Sequence, residues 1–355
     1  MATIVHGVYY ATFLARAHGA THSVKGLREA EKAEKALAFA EHIGCPWALC
    51  GDVSAWDTSW GPHQRGWVAD LLARIVEAIY VNELMPTTED VTTARGRLVS
   101  LIAWCLHRSG DSDNTATNGL LHFALRSGVL TALGRDDWFT NPQIRITVEG
   151  DDGLDQFPLT AAEIPAINRA ATALFHMWGF DGGQSVGWLD ASTAPLGVPL
   201  AAFCSAHYGR ASDGSAVSLP TQPRALIRSL SMPRATGPLA VFRRAKAASL
   251  AELAGGAPTA MALAQRLGRG LGHVVITDSV LDALDYAWAP QRAAGVRQAH
   301  GRLESLECAP GCAALETRVW HGGATGEQLA GLRAMLIDGP SCLWGPPRPR
   351  APSVH

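Results

Sequence analysis

Between residues 27 and 42, apolar residues return every three to four positions. Leu27, Ala30, Ala33, Leu37 and Ala40 stand there amid Glu and Lys, and the spacing predicts an amphipathic helix that ends near Gly44 and Pro46. The run Trp47-Ala48-Leu49-Cys50 then predicts a short buried strand that delivers Gly51-Asp52 at its end. A broad apolar face made by Trp67, Leu71, Leu72, Ile75, Ile79 and Val81 predicts a helix over 64–85. Residues 98–107, the polar stretch 109–113 and a helical pattern over 114–127 predict strand, turn and helix. Clean alternation over 143–149 predicts a strand, closed by the tight acidic turn Gly150-Asp151-Asp152-Gly153. A helix over 161–178 carries Ile164, Ile167, Ala171, Leu174, Phe175 and Trp178 and stops at Gly179, and 198–204 reads as a further strand.

Composition places this pattern in a globular chain with a sizeable core. Of its 355 residues, 47% are hydrophobic and 17% charged, which excludes wholesale disorder, and no fixed period marks a repeat architecture. The N-terminus lacks the basic start and apolar core of a signal peptide, and no run of 18 uncharged apolar residues occurs, so neither secretion nor a transmembrane segment is expected. Seven scattered Cys, an odd number, fit a reducing compartment better than a disulfide framework. The formal charge of -2 gives no bulk sign of nucleic-acid affinity, but it is unevenly spread. Residues 1–208 hold 14 Lys+Arg against 22 Asp+Glu, and residues 209–355 hold 16 against 10. That reversal suggests a domain boundary near 209, and the last residues, from Cys342, form a Pro-rich tail.

Three separated segments have the residue types to act together: Asp52 through Asp57, Arg108 through Asn118, and Gly150-Asp151-Asp152. Singly, each has a plainer reading. Asp-rich turns satisfy their own backbone, an Asp pair five apart is usually surface, and Ser-Gly-Asp-Ser-Asp is an ordinary loop or cap. Their order and context add weight, because the first and third acids each follow a predicted buried strand. Carboxylates from adjacent strand ends stay ionised side by side only if cations neutralise them, and hard oxygen donors suit two Mg²⁺ or Mn²⁺ ions. Such a pair can activate an attacking hydroxyl and stabilise a leaving pyrophosphate.

In order and approximate spacing, the three segments resemble motifs A, B and C of viral RNA-dependent RNA polymerases, closest to the tombusvirus-like and nodavirus-like group of positive-strand RNA viruses. Val24-Lys25-Gly26-Leu27 resembles the segment before motif A, and His107-Arg108-Ser109-Gly110-Asp111 the opening of motif B. Trp178-Gly179-Phe180 resembles motif D, Ala202-Phe203-Cys204 the motif E primer grip, and Pro223-Arg224 with Leu226 a recurrent pattern after the palm. The likeness covers residues 22–235, with a looser thumb-like match from Lys246 to Gly256.

The resemblance implies an α+β fold of the right-hand polymerase type. Residues 1–46 would be a partial fingers and pre-palm segment, and 47–208 a palm with a small antiparallel sheet backed by helices and inserted finger helices. Residues 209–340 would be a basic, mainly helical thumb, and 341–355 the tail. It also implies RNA-templated RNA synthesis, with Asp52, Asp151 and Asp152 as catalytic metal ligands. Asp57 and Asn118 would read the ribose 2′-hydroxyl, Ser109 and Gly110 would form the mobile motif B loop, and Asn114 or Thr115 would touch substrate. Phe203, Cys204, Arg224, Arg228, Arg243 and Arg244 would meet RNA. Expected partners are an RNA template, the product duplex and ribonucleoside triphosphates. The expected place is the host cytoplasm, in membrane-associated replication complexes formed through other segments.

The chain departs from the family in three places. Asn114 stands where motif B has Thr, with Thr115 next to it. Motif D lacks its Lys, since Asp181-Gly182-Gly183-Gln184 follows Phe180, and only His176 or Arg169 could stand in. The sequence also begins about where the basic motif F of family members ends, so an incomplete reading of a longer or split polymerase is expected, with the fingers supplied in cis or trans. A catalytically incomplete subunit of the same fold, and an unrelated α/β metal-dependent hydrolase, remain as alternatives. Cys308, Cys312, His321 and Cys342 could bind zinc, although loose spacing favours ordinary core cysteines. Trp47, Trp56, Trp60, Trp67, Trp104 and Trp178 could stack bases, but packing is the simpler role for all except Trp56, inside motif A. Arg224, Arg228, Arg234, Arg243, Arg244, Arg266 and Arg269 form either a solvated helix face or a track for duplex phosphates.

Overall fold

The computed structural model of the chain describes residues 24, 26–51, 64, 66–67, 70, 114–221, 238–253, 256–271, 274–284, 290–320 and a few positions between 327 and 334. The described part is a mixed α and β structure with two small antiparallel sheets. Strands β1 (Trp47–Gly51), β2 (Arg145–Glu149), β3 (Asp152–Gln156) and β4 (Gln184–Trp188) form a sheet in the order β2-β3-β1-β4. Strands β5 (Ala206–Arg210) and β6 (Ala216–Pro220) form a separate hairpin.

Period-two alternation divides the four-stranded sheet into two faces. On one face, Leu49, Ile146, Val148 and Val186 pack against α2 (Asn114–Ala132) and α3 (Ile164–Met177) through Leu121, Leu125, Ile167, Ala171 and Phe175. Gly128 lets α2 and α3 close together, since a Cβ there would lie 3.3 Å from Leu174. On the other face, Ala48, Cys50 and Leu154 pack against α1 (Glu29–Ile43) through Ala33, Ala36 and Leu37, joined by Phe203, Ala206 and Tyr208. α1 ends as its sequence predicts, at a left-handed Gly44 with φ 63° whose N–H donates back to the last turn.

C-terminal to the sheet, α4 (Leu239–Leu253), α5 (Pro258–Gly268), α6 (Asp278–Ala283) and α7 (Pro290–Arg302) enclose an Ala-rich core with Phe242, Leu263 and Val296. α8 (Cys312–Val319) lies against β6, and the Trp320 indole donates to the Pro220 carbonyl at 2.7 Å. Among the described residues, no helix is long and apolar enough to cross a membrane.

Several expectations need correction. In α1, Ala30 is exposed while Glu29 and Lys32 are buried, because a charged cluster described below rotates the buried face toward them. Residues 198–204 do not form a strand. Leu200 and Phe203 make single bridges, to Trp188 and Ala206, and the extended pieces are β5 and β6 instead. The charge reversal at 209 falls within β5. Of the helix expected over 64–85, only Gln64, Gly66, Trp67 and Asp70 are described, all helical, and the strand expected over 98–107 lies outside the described residues.

Candidate functional site

β2 and β3 are joined by two residues, Gly150 and Asp151, with Glu149 and Asp152 as their last pair. Gly150 has φ 66°, and a left-handed glycine at the first loop position is what a tight hairpin turn of this hand requires. Asp151 and Asp152 are half-buried at this tip. Beside them β1 ends at Gly51, which pairs with Gly153 on one side and Gln184 on the other. The next residue in the chain, Asp52, lies outside the described residues, as do Asp57, Ser109, Gly110, Arg224 and Arg228. Asn114 and Thr115 belong to the first turn of α2. One turn further on, Asn118 is half-buried, and its neighbour Gly119 approaches the acidic turn so closely that a Cβ would lie 3.9 Å from the Gly150 nitrogen. The predicted motif B helix and the predicted motif C turn are thus brought together.

Behind the tip lies a polar layer that the sequence reading missed. Gly153, Gly51 and Gln184 form a cross-strand row on the α2 face of the sheet. Because two of the three have no side chain, the row leaves a trough, which the Arg126 guanidinium fills. A Cβ on Gly153 would overlap the guanidinium, and one on Gly51 would overlap the Gln184 amide. Fully buried, Arg126 donates to Asp155 Oδ2 at 2.7 Å, to Gln184 Oε1 at 3.1 Å and to His122 Nε2 at 3.1 Å. His122 Nδ1 in turn lies 3.3 Å from the Gly150 carbonyl. Burial pushes the Asp155 carboxyl above its ordinary range, opposed by the Arg126 cation that it pairs with. Burial, and then the nearby Arg126 charge, hold His122 well below the usual imidazole value, so it is neutral. The available signal was the spacing of Asn118, His122 and Arg126. These are polar residues four apart on a helix whose neighbouring positions, Leu121, Leu125 and Val129, are apolar core.

The opposite face of the hairpin carries a second cluster. Lys32 Nζ sits 2.5 Å from Glu149 Oε2 and 3.2 Å from Glu29 Oε1. Arg292 of α7 reaches Glu29 at 2.5 Å and Glu149 at 3.9 Å, while Arg28 donates to Glu252 of α4 through two bonds of 2.7 and 2.9 Å. Burial pushes Glu149 up, but Lys32 and then Arg292 outweigh it and the net shift is downward. For Lys32 burial favours the neutral form, and the surrounding acidic groups reverse this, so its pKa rises. The Cys204 thiol donates to Glu149 Oε2 at 3.3 Å, and burial with the neighbouring acid drives its pKa well up, leaving an unreactive thiol. Cys204 and Ser205 turn the chain with φ values of 52° and 58°, a left-handed pair between bridged Phe203 and Ala206.

Two residues expected to contact RNA have other work. Phe203 is buried in the core beneath α1. Arg244 is buried and donates to Glu304, to the Gly268 and His300 carbonyls and to His300 Nδ1, tying α4 to the ends of α5 and α7. Neither side chain has a face free for a phosphate or a base. Arg243 is half-buried, with Nε donating to the Leu267 carbonyl at 2.7 Å.

Trp47 packs edge-on against Trp188, with ring centroids 5.0 Å apart, and Trp67 against Trp178 at 6.3 Å. These four are packing aromatics. The possible stand-ins for the motif D lysine, Arg169 and His176, are exposed, and His176 lies 3.4 Å from Asp181. Cys312 is buried with Leu219 and Leu315, and burial pushes the nearby Cys308 thiol up to about 12. No group of three His, Cys, Asp or Glu side chains converges among the described residues, where neither His321 nor Cys342 is included. The chain matches no protein-family model and no curated protein.

Proposed function

We propose that the chain carries out RNA-templated RNA synthesis, joining ribonucleoside triphosphates to an RNA 3′-hydroxyl with release of pyrophosphate, on a right-hand polymerase palm. One observation carries this reading. The acidic turn Gly150-Asp151 stands at the end of an antiparallel sheet where β1 finishes in the Gly51 and Gly153 pair, so the residues covalently next to that pair are Asp52 and Asp152. One acidic segment therefore forms this sheet end, a second begins at the residue after Gly51, and the third comes to the turn through Gly119, the neighbour of Asn118.

Asp151 and Asp152 offer hard carboxylate oxygens from a half-buried turn, a donor set that fits Mg²⁺ or Mn²⁺, with Asp52 as the further ligand. Bound there, the ions would lower the pKa of the attacking hydroxyl and neutralise the leaving pyrophosphate. The protein's own share is placement. Gly150 sets the turn, and Asn118 presents an amide, able to donate or accept, to a sugar hydroxyl. The RNA and nucleotide partners and the cytoplasmic setting belong to the same proposal.

Primer extension on an RNA template with Mg²⁺ and ribonucleoside triphosphates tests it, with Asp151→Ala as control. Loss of several kcal/mol of charge stabilisation predicts a fall of about a thousandfold in that variant. Extension by the variant at the wild-type rate refutes the assignment. Extension only after a fingers segment is added would favour the incomplete-subunit reading, which the missing motif D lysine also favours.

A further inference from the structure

We infer that His122 and Arg126 are positioning residues for the acidic turn: a buried relay running from Asp155 through Arg126 and His122 to the Gly150 carbonyl sets how Asp151 and Asp152 are presented to a divalent cation. The cation half of this inference rests on the polymerase reading; the relay itself does not.

Arginine only donates hydrogen bonds, so the Arg126 Nε–H pointing at His122 Nε2, 3.1 Å away, requires a lone pair there. A neutral imidazole with its lone pair on Nε2 carries its proton on Nδ1, and Nδ1 is the atom that faces the Gly150 carbonyl at 3.3 Å. Each bond thereby fixes the direction of the next. Arg126 is itself fixed by Asp155 at 2.7 Å and Gln184 at 3.1 Å, on β3 and β4. Gly150 is the left-handed residue on which the turn depends, and Asp151 follows it directly. The relay therefore couples the sheet interior and helix α2 to the one peptide unit that orients the first acid.

The glycines flanking the acids gain a reason from the same layer. Gly51 and Gly153 face each other across β1 and β3, and it is their missing side chains that admit the Gln184 amide and the Arg126 guanidinium. A solvated hairpin tip has no need of a buried arginine reaching its turn through a histidine.

The test uses the full chain and three readouts. Imidazole ¹⁵N shifts should show His122 as the neutral Nδ1–H tautomer, and an Nε2–H tautomer overturns the relay. In His122→Phe, which keeps the ring packed against Phe175 (centroids 5.6 Å apart in the native protein), amide exchange at Asp151 and Asp152 should speed up about tenfold, the worth of one lost hydrogen bond. Exchange in the α2 and α3 core should be unchanged. Mn²⁺ affinity, read by paramagnetic broadening, should fall by a similar factor. The double variant Arg126→Met with Asp155→Leu, which removes both buried charges together and so keeps the fold, should show the same local loosening. Wild-type exchange and Mn²⁺ affinity in His122→Phe, or loosening spread over the whole domain, overturns the inference. A wild-type chain that binds no Mn²⁺ defeats the polymerase reading instead, while the tautomer and exchange results still decide the relay.

Discussion

Gly153→Ala adds one methyl group where no space exists. The new Cβ would overlap Arg126 Nε and the guanidinium carbon, and the guanidinium is fully buried between Asp155, Gln184 and His122. Overpacking of a tight core costs about 1–3 kcal/mol. Here the side chain that must move is one half of a buried ion pair, and separating such partners costs about 3–5 kcal/mol. The pair dominates, because the guanidinium is fully buried and its displacement leaves the buried Asp155 carboxyl without its partner. Urea denaturation of the full chain should show a midpoint lower by roughly 1 M or more. The same substitution made in an Arg126→Ala, Asp155→Ala background should cost less than about 1 kcal/mol, since nothing is left to collide with. The difference between the two is a coupling energy of about 2 kcal/mol or more, far above the scatter of independent sites. Equal costs in both backgrounds would show that the methyl group meets something other than the guanidinium, and the trough would be the wrong description.

Two further perturbations address the other face of the hairpin. Lys32→Met leaves the buried Glu29 and half-buried Glu149 carboxylates with Arg292 as the remaining cation of the cluster among the described residues, and should cost about 3–5 kcal/mol in urea, most of it recovered when Glu149→Leu is added. The cluster also sets a pH window. Glu149 titrates below its ordinary 4.5, so its contribution is present above that value and is lost as pH falls through the folded pKa. Lys32 titrates above 10.5, so its contribution is full below that value and is lost as pH rises through the folded pKa. Removing Lys32 should flatten the fall in stability at both ends, and an unchanged profile would count against the pairing. Ser205→Gly should stabilise the protein by about 1 kcal/mol, because Ser205 holds φ 58°, where a side chain is strained. A melting temperature that stays level or drops refutes that.

What the sequence disclosed and what it withheld divide along a physical line. Elements with a local signal were legible: the 3.6-residue spacing of α1, the apolar run of β1, the alternation of β2 and the left-handed stop at Gly44. β3 was not, because Asp152-Gly153-Leu154-Asp155-Gln156 has the composition of a loop. It becomes a strand only by pairing with both β1 and β2 and by receiving a buried arginine from 29 residues upstream. β4 fails for the same reason, as two of its five residues exist to serve neighbours: Gln184 faces Arg126, and Gly187 allows the close approach of Ala201. Arg244 and Phe203 mislead in the opposite sense, since a basic run and an aromatic at a turn look like surface chemistry until burial is known. The acidic turn itself was legible as a motif. What holds it was not.

The two polar clusters grip one hairpin from opposite sides, and alternation along the strands makes this possible. On β3, Gly153 and Asp155 face α2 and receive Arg126, while on β2 the intervening Glu149 faces α1 and receives Lys32. A two-stranded ribbon of five-residue strands is marginal by itself. Buried ion pairs add little net stability over apolar packing, yet they penalise any arrangement in which one partner is left alone. A one-residue slip of β2 against β3 would turn Glu149 away from Lys32, and a slip of β3 against its neighbours would turn Asp155 away from Arg126; either strands opposed charges, whereas an apolar hairpin would lose only some packing. The charges are better understood as fixing register than as adding strength. That is what a turn bearing two adjacent carboxylates requires, because their mutual repulsion works against any single fixed geometry.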